Sequence, residues 1–196
     1  FGEDGRTFLG TDPAAAAVTL TALGADVIGL NCSMGPRQLR GALREILRCT
    51  HLPVMIQPNA GIPRLVDGQT VYDVEPEEFA LCAGEFLEDG AAILGGCGTT
   101  PEHIRALRPL LEGRRPVLRQ PDGVSRLCGW QGTAELTAAS IATVGERLNP
   151  TGRKLMKDAL YGKDYDYASG VALEQQEEGA DFLVVNAGLP DIDEGE

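Results

Sequence analysis

The chain has 196 residues, 43% of them hydrophobic, and a formal net charge of −12. This charge argues against nucleic acid or an anionic membrane as a partner, because both carry dense negative charge. No apolar run approaches the roughly 18 residues of a membrane-spanning helix. The five cysteines are scattered, which is not typical of a disulfide framework and favours a reducing, cytoplasmic setting.

The first part of the chain, residues 11–116, alternates helical and strand-like segments. The pattern predicts helices at residues 14–23, 36–47, 75–87 and 101–111, and strands at residues 25–30, 53–57 and 91–94. Pro13 and Pro76 suit the first turns of two of these helices. Strands that alternate with helices predict a parallel sheet, and their continuous apolar character predicts burial on both faces.

Residues 113–137 interrupt this alternation with glycine- and proline-rich clusters, which predicts a linker. The alternation then resumes, with predicted strands at residues 141–145 and 181–186 and predicted helices at residues 151–160 and 168–178. We therefore predict an α/β protein with one domain at residues 1–113, a linker at 114–138 and a second domain at 139–196. The chain opens at Phe1, not at methionine, so we expect a piece of a longer polypeptide.

Two cysteines stand out, since Cys32 and Cys97 each follow a short apolar run and precede residues suited to starting a helix. At the end of a barrel strand a thiolate points into the mouth where ligands bind, and two of them make a soft-metal site such as zinc plausible. The alternative is that both are small buried residues. Cys49 and Cys82 are predicted to lie in the core, and Cys128 is predicted to be a free thiol.

Other polar residues have weaker signals. His103 lies six residues after Cys97, and we expect a surface or capping role for it, with metal binding as the less favoured alternative. Asn149 and Asn186 each end a predicted strand. Amide side chains both donate and accept hydrogen bonds, so they suit the edge of a pteridine or purine ring, but they equally suit turns.

With these residues in place, the chain resembles the cobalamin-dependent methionine synthase family. The motifs that carry the resemblance run in order along the chain, at residues 4–7, 10–13, 24–26, 31–32, 57–61, 76–79, 95–104, 145–152 and 179–190. The resemblance implies the second half of a homocysteine-binding (β/α)8 TIM barrel, a linker, and the start of a second, pterin-binding (β/α)8 barrel for methyltetrahydrofolate.

The resemblance also implies a chemistry. Zinc on three cysteine thiolates binds and activates the sulfur of homocysteine, and a cobalamin on a separate domain takes a methyl group from methyltetrahydrofolate and passes it to that sulfur. By this resemblance Cys32 is the first zinc ligand and Cys97 belongs to the second ligand position. Asn186 matches a pterin-contacting asparagine, and Asn149 lies at the mouth of the same barrel. Half-barrels leave open strand edges, so we expect the 196 residues alone to be inactive.

Two departures from the family pattern bear on these implied sites. The family has two adjacent cysteines after the paired glycines, whereas this chain has only Cys97. The third zinc ligand would then have to come from His103, Cys128 or water. An aspartate usual in the pterin strand is replaced by Val184, and a buried donor left unpaired there would cost about 1–3 kcal/mol.

These departures leave two alternatives open beside the methionine-synthase-type methyltransferase. One is a degenerate, non-catalytic remnant with impaired zinc and folate sites. The other is a related thiol methyltransferase that uses a different methyl donor, against which the pterin-like second part argues.

Overall fold

A computed structural model describes residues 1–117, 119–139, 141–190 and 192–193. The chain divides into two compact units, Phe1–Glu135 and Leu136–Glu196. Among the described residues, no helix is long and apolar enough to cross a membrane.

The first unit is built on a three-stranded parallel sheet. Its helices are α1 (Pro13–Ala22), α2 (Pro36–Cys49), α3 (Pro76–Asp89) and α4 (Pro101–Leu111), and its strands are β1 (Ile28–Asn31), β2 (Val54–Gln57), β3 (Arg64–Val66), β4 (Gln69–Val71), β5 (Ile93–Leu94), β6 (Ser125–Cys128) and β7 (Thr133–Leu136). The sheet order is β1-β2-β5, with β2 in the centre. The predicted mixed α/β class and parallel pairing are confirmed, and the barrel itself stays a prediction.

Local sequence explains where the helices begin. Each of α1, α2, α3 and α4 has proline in its first turn, where the missing N–H is not needed. At α1 the Asp12 carboxylate also accepts a hydrogen bond from the Ala15 N–H at 2.7 Å. Helix α3 ends at Gly90, whose φ of 112° is left-handed and suits glycine.

The core of the first unit lies between the sheet and these helices. The predicted stripe of α2 is buried, with Leu39, Leu43, Ile46 and Leu47 packed in one cluster with strand residues and with α3. Phe79 and Phe86 of α3 are 1% and 2% exposed and are the largest side chains of this cluster. Since burying an aromatic side chain contributes about 1.5–3 kcal/mol, this layer fixes how the strands meet the helices.

The prediction that the strands are buried on both faces is wrong. In β1, Ile28 and Leu30 are buried whereas Gly29 and Asn31 are exposed, and in β5 Ile93 is 40% exposed. The buried strand residues belong to the cluster that the helices cover. The opposite face of the sheet has no such cover among the described residues. The apolar composition of the strands therefore predicted more burial than the structure has.

A short hairpin, β3–β4, was not predicted. All six of its residues are exposed, and the strands pair Leu65 with Thr70. Its turn is Asp67-Gly68, where both residues have positive φ, 49° and 79°. An Asp-Gly pair is a strong short-range hairpin signal, so the sequence did contain the cue.

The segment predicted as a linker holds a second hairpin, β6–β7, which is fastened to the first unit. Arg119 donates to the Leu47 and Leu52 carbonyls at 2.7 and 2.9 Å. Arg126, whose side chain is 3% exposed, pairs with Asp122 and with Glu135. We call residues 119–135 the strap, and the boundaries of the predicted linker at 114–138 stay a prediction.

Replacing Arg126 with alanine is expected to lower the free energy of unfolding by about 1–2 kcal/mol, because the carboxylates of Asp122 and Glu135 each lose a charged hydrogen bond. Arg126 holds the pKa of Asp122 well below its usual range. This stabilisation is present above the unfolded-state pKa of about 3.9 and is lost as the pH falls below it. The difference in unfolding free energy between the unchanged protein and Arg126→Ala, measured with urea, should therefore shrink as the pH falls into the acid range.

Arg105→Ala is the control, since Arg105 is exposed and its ion pair with Glu102 measures 3.5 Å. We expect it to change the unfolding free energy by less than about 0.5 kcal/mol. An equal effect of both substitutions at neutral pH would show that the ion pairs of the strap do not fasten it.

The described residues of the second unit form four elements, β8 (Val144–Leu148), α5 (Lys154–Gly162), α6 (Tyr165–Glu177) and β9 (Phe182–Val185). Strands β8 and β9 pair in parallel with a shift in register between Gly145 and Leu148. A small core of Leu148, Met156 and Val171 joins β8 to the two helices. The order strand, two helices, strand is confirmed, and α5 begins three residues later than predicted.

Candidate functional site

The two cysteine loops meet at the carboxyl end of the central strand. Cys32 follows β1, and its backbone N–H donates to the Gln57 carbonyl at 3.0 Å. Cys97 follows β5, and its N–H donates to the Pro58 carbonyl at 2.8 Å. Both loops bind the same short stretch at the end of β2, Gln57 and Pro58. The cysteines that follow the two flanking strands therefore lie on either side of β2.

The two thiols interact with each other. The Cys32 thiol donates to the Asn31 Oδ1 at 3.2 Å. The pKa of Cys32 is raised, first by a hydrogen bond with Cys97, then by burial and by the charge of the Cys97 sulfur. The neighbouring sulfur thus disfavours ionisation of the Cys32 thiol, and a cation bound beside the two sulfurs would reverse that effect. The pair is therefore suited to a positively charged ligand.

Backbone strain marks the Cys32 loop. Cys32 and Ser33 have φ values of 59° and 66°, in the left-handed region that non-glycine residues seldom occupy. Such residues cost of order 1 kcal/mol or more each and persist only where the surroundings hold them. Here the Met34 N–H donates to the Cys32 carbonyl at 2.8 Å, and the Asn59 N–H donates to the Met34 carbonyl at 3.0 Å.

Close packing shapes the Cys97 loop. Gly98 has a φ of 65°, and a Cβ at this position would overlap the ring of Tyr72. A Cβ at Gly96 would overlap Thr99 and lie 2.9 Å from the Phe79 ring. The loop therefore needs glycine on both sides of Cys97. The close packing that requires these glycines also holds the Cys97 thiol in place.

His103 has the capping role that was expected. Its Nδ1 accepts from the Thr100 N–H at 3.2 Å, and its Nε2 lies 2.8 Å from the Val74 carbonyl. The imidazole is 6% exposed and packs edge-on against Phe79, with ring centres 5.5 Å apart. Both ring nitrogens already have partners, so His103 is not available as a third metal ligand.

The remaining cysteines lie elsewhere. Cys82 is 2% exposed in the core, as predicted, and Cys49 is half-buried against it. Burial raises the pKa of both thiols. Cys128 is an exposed free thiol within 3.0 Å of the Thr19 hydroxyl on α1. Within the described parts of the chain, no group of three or more His, Cys, Asp or Glu residues is placed to hold a metal ion.

In the second unit the two asparagines lie at the shared carboxyl edge of β8 and β9. The Asn186 N–H donates to the Leu148 carbonyl at 2.9 Å, which brings it beside Asn149. The Asn149 Oδ1 accepts from the Thr151 N–H at 3.0 Å, and the Asn186 Oδ1 accepts from the Gly188 N–H at 2.9 Å. The side-chain oxygen of each asparagine therefore stabilises the turn that follows it, and the alternative that both are turn residues is confirmed.

Glu146 is the residue of this edge that the sequence reasoning did not single out as a site. Its carboxylate accepts from the Asn149 Nδ2 at 2.5 Å and from the Arg153 Nη1 at 3.0 Å. Arg153 and then Asn149 hold its pKa below the usual range. Val184 on β9 is 45% exposed, and its apolar side chain can form no hydrogen bond. The carboxylate that contacts the asparagine edge is therefore that of Glu146, through Asn149.

Comparison with known proteins agrees with the motifs. The sequence profile described as homocysteine S-methyltransferase matches residues 1–111. The chain is 36% identical over 185 residues to the methionine synthase of Mycobacterium tuberculosis (strain ATCC 25618 / H37Rv) and 34% identical over 190 residues to that of Mycobacterium leprae (strain TN). Each match covers 91% of this chain, whereas the chain spans only 15–16% of the length of these relatives. The resemblance to methionine synthase is confirmed.

Proposed function

We propose that this chain, which belongs to the homocysteine S-methyltransferase family, is the part of a methionine-synthase-type enzyme that binds homocysteine and begins the folate site. In this proposal a methyl group passes from methyltetrahydrofolate, through cobalamin held by a separate domain, to the sulfur of homocysteine. The setting is the cytoplasm. The observation that supports it is the meeting of Cys32 and Cys97 at the carboxyl end of a parallel sheet.

Zinc fits this pair only in part. Cys32 and Cys97 would hold the metal, and a bound zinc would lower the pKa of an incoming thiol. A catalytic zinc takes three protein ligands, and the described residues place no third His, Cys, Asp or Glu side chain beside the two thiols. The metal should therefore be held more weakly than by three thiolates.

The chain's own residues would act by positioning. The hydrogen bonds to residues 57–58 hold both thiols at one mouth, so a substrate thiol enters opposite a fixed pair of sulfurs. In the second unit the Asn149 and Asn186 amides and the Glu146 carboxylate offer donors and acceptors at one strand edge. This set suits the amino and ring nitrogens of a pterin.

Methionine formation by the full-length protein that contains these residues tests the proposal. We expect product from homocysteine only when methyltetrahydrofolate and cobalamin are both supplied. Product with another methyl donor in place of the folate would favour the related thiol methyltransferase.

Replacing Asn186 with alanine is expected to weaken methyltetrahydrofolate binding about tenfold, because one hydrogen-bonding amide at the pterin edge is lost. Isothermal titration calorimetry on the full-length protein measures this change. Zinc content should stay as in the unchanged protein. If the substitution removed metal and left folate binding intact, the assignment of Asn186 to the folate site would be wrong.

A second candidate is a non-catalytic remnant. The two-thiol donor set and the apolar Val184 both favour it, since each removes a group that the full sites would use. The folded protein would then contain no zinc and give no methionine under the assay above.

A further inference from the structure

A closed network of hydrogen bonds surrounds the loop that carries Cys97. The Cys97 carbonyl accepts from the Ala60 N–H at 3.0 Å, and the Ala60 carbonyl accepts from the Val74 N–H at 3.0 Å. The Val74 carbonyl lies 2.8 Å from the His103 Nε2, and the His103 Nδ1 accepts from the Thr100 N–H at 3.2 Å. Since Thr100 follows Cys97 by three residues, the chain itself closes the network. We call these five residues the Cys97 network.

His103 supplies the one side chain that these four hydrogen bonds use, and backbone groups supply the rest. A carbonyl only accepts hydrogen bonds, so the proton must lie on Nε2, and Nδ1 then accepts from Thr100. An imidazole protonated on Nε2 alone therefore serves both neighbours at once. The imidazole is 6% exposed, and the Phe79 ring packs edge-on against it, which limits its rotation.

The Cys97 network also places Tyr72 on the loop. Tyr72 lies two residues before Val74, and its ring covers Gly98 so closely that a Cβ there would overlap it. The hairpin β3–β4, which leads into Tyr72, is exposed along both strands and gives this segment little support. The bond from His103 to Val74 therefore determines how firmly residues 72–74 hold the loop.

We propose that His103 is a positioning residue for the Cys97 thiol, which it holds in place by closing the Cys97 network. The inference rests on the proposed function, in which Cys97 is a metal ligand, and it gives His103 a part in the site without making it a ligand. Groups that hold metal ligands in place contribute about 10–100-fold to metal affinity. Breaking the bond from His103 to Val74 should therefore loosen the loop and weaken metal binding together.

Two substitutions of His103 in the full-length protein separate this role from that of a helix cap. Asparagine keeps an acceptor for the Thr100 N–H but is too short to reach the Val74 carbonyl. Glutamine also keeps an acceptor at this position of a helix, and its amide donor is long enough to reach Val74.

Cobalt(II) is the probe for metal binding, because its bonds to thiolates are visible in the absorption spectrum. We expect His103→Asn to weaken cobalt(II) binding about tenfold or more, and His103→Gln to stay within about threefold of the unchanged protein. A capping role alone would leave the two variants equal, and that result would overturn the inference.

Amide hydrogen exchange gives a second measurement that needs no metal. The Ala60 and Val74 N–H groups belong to the Cys97 network, and their exchange reports how often its bonds open. In the metal-free protein we expect both amides to exchange about tenfold faster in His103→Asn, and His103→Gln to restore most of the protection. Unchanged exchange of both amides in His103→Asn would overturn the inference and leave the proposed function intact.

Leu107→Ala is the matched control, because Leu107 lies one turn beyond His103 on α4, is 3% exposed and is outside the Cys97 network. Its replacement should lower the stability of the fold and leave cobalt(II) affinity and the absorption spectrum unchanged. Equal loss of cobalt(II) in Leu107→Ala and His103→Asn would show a general loss of stability and overturn the inference. If the unchanged protein bound no cobalt(II), the proposed function would fail, whereas hydrogen exchange would still decide the part of His103.

Discussion

Replacing Cys32 with alanine is expected to remove zinc from the full-length protein after dialysis. A structural zinc site contributes about 10–16 kcal/mol from its whole ligand set. A quarter of that energy is about a hundredfold in affinity, and loss of one of only two thiol ligands should cost at least as much. Since Cys32 and Cys97 are the two thiols that meet at the sheet end, either one alone should fail to retain the metal. Zinc per chain, measured by atomic emission, reports this directly.

The control for this experiment is Cys82→Ala. Cys82 is 2% exposed in the core, so its replacement should cost stability and leave zinc content unchanged. Zinc that stays bound in folded Cys32→Ala would remove Cys32 from the ligand set. A folded, unchanged protein that contains no zinc would favour the non-catalytic remnant.

Much of the fold could be predicted because its signals are local. The spacing of Leu39, Leu43, Ile46 and Leu47 determines which side of α2 is buried, and this prediction is confirmed. Prolines at the first turns also marked the helix starts correctly. The exposed face of the sheet could not be predicted, because whether a strand has one or two covered faces depends on elements distant in the sequence.

In the candidate site, too, some features could be predicted from local sequence and others depend on distant contacts. That Cys32 and Cys97 share one sheet end follows from parallel strands and was predictable. The left-handed backbone at Cys32 and the double hydrogen bonding of His103 were not, since both depend on contacts with residues 59 and 74. The roles of Cys32, Cys97, Asn149 and Asn186 stay predictions until binding is measured.

The strap shows why composition alone misplaces an ordered segment. Glycine and proline at residues 121, 123, 129 and 132 indicate a linker, but the energetics lie with side chains. Arg119 donates to the carbonyl of Leu47 in the last turn of α2 and to that of Leu52 beyond the helix, and Arg126 binds two carboxylates. Such anchoring has no periodic signature, so only the contacts identify it.

Replacing Gly98 with alanine is expected to weaken zinc binding at least about tenfold and to lower the free energy of unfolding by about 1–3 kcal/mol. Gly98 has a φ of 65°, and a Cβ would overlap the Tyr72 ring, which packs against the core. Either the ring or the loop must move. Movement of the loop shifts Cys97, which is one residue away, out of line with Cys32.

Gly84→Ala separates this effect from the general effect of adding a methyl group. Gly84 lies inside α3 with open space around its Cα, so alanine should be neutral or stabilise the helix by up to about 1 kcal/mol. Adding Tyr72→Ala to Gly98→Ala removes the ring that the new methyl group meets. Zinc binding should then recover in part, because the backbone strain of alanine at a φ of 65° remains. Persistent loss of zinc in the double variant would mean that Tyr72 is not what requires glycine beside Cys97. Unchanged zinc affinity and stability in Gly98→Ala alone would show that the loop tolerates displacement, and that the packing around it does not set the position of the thiol.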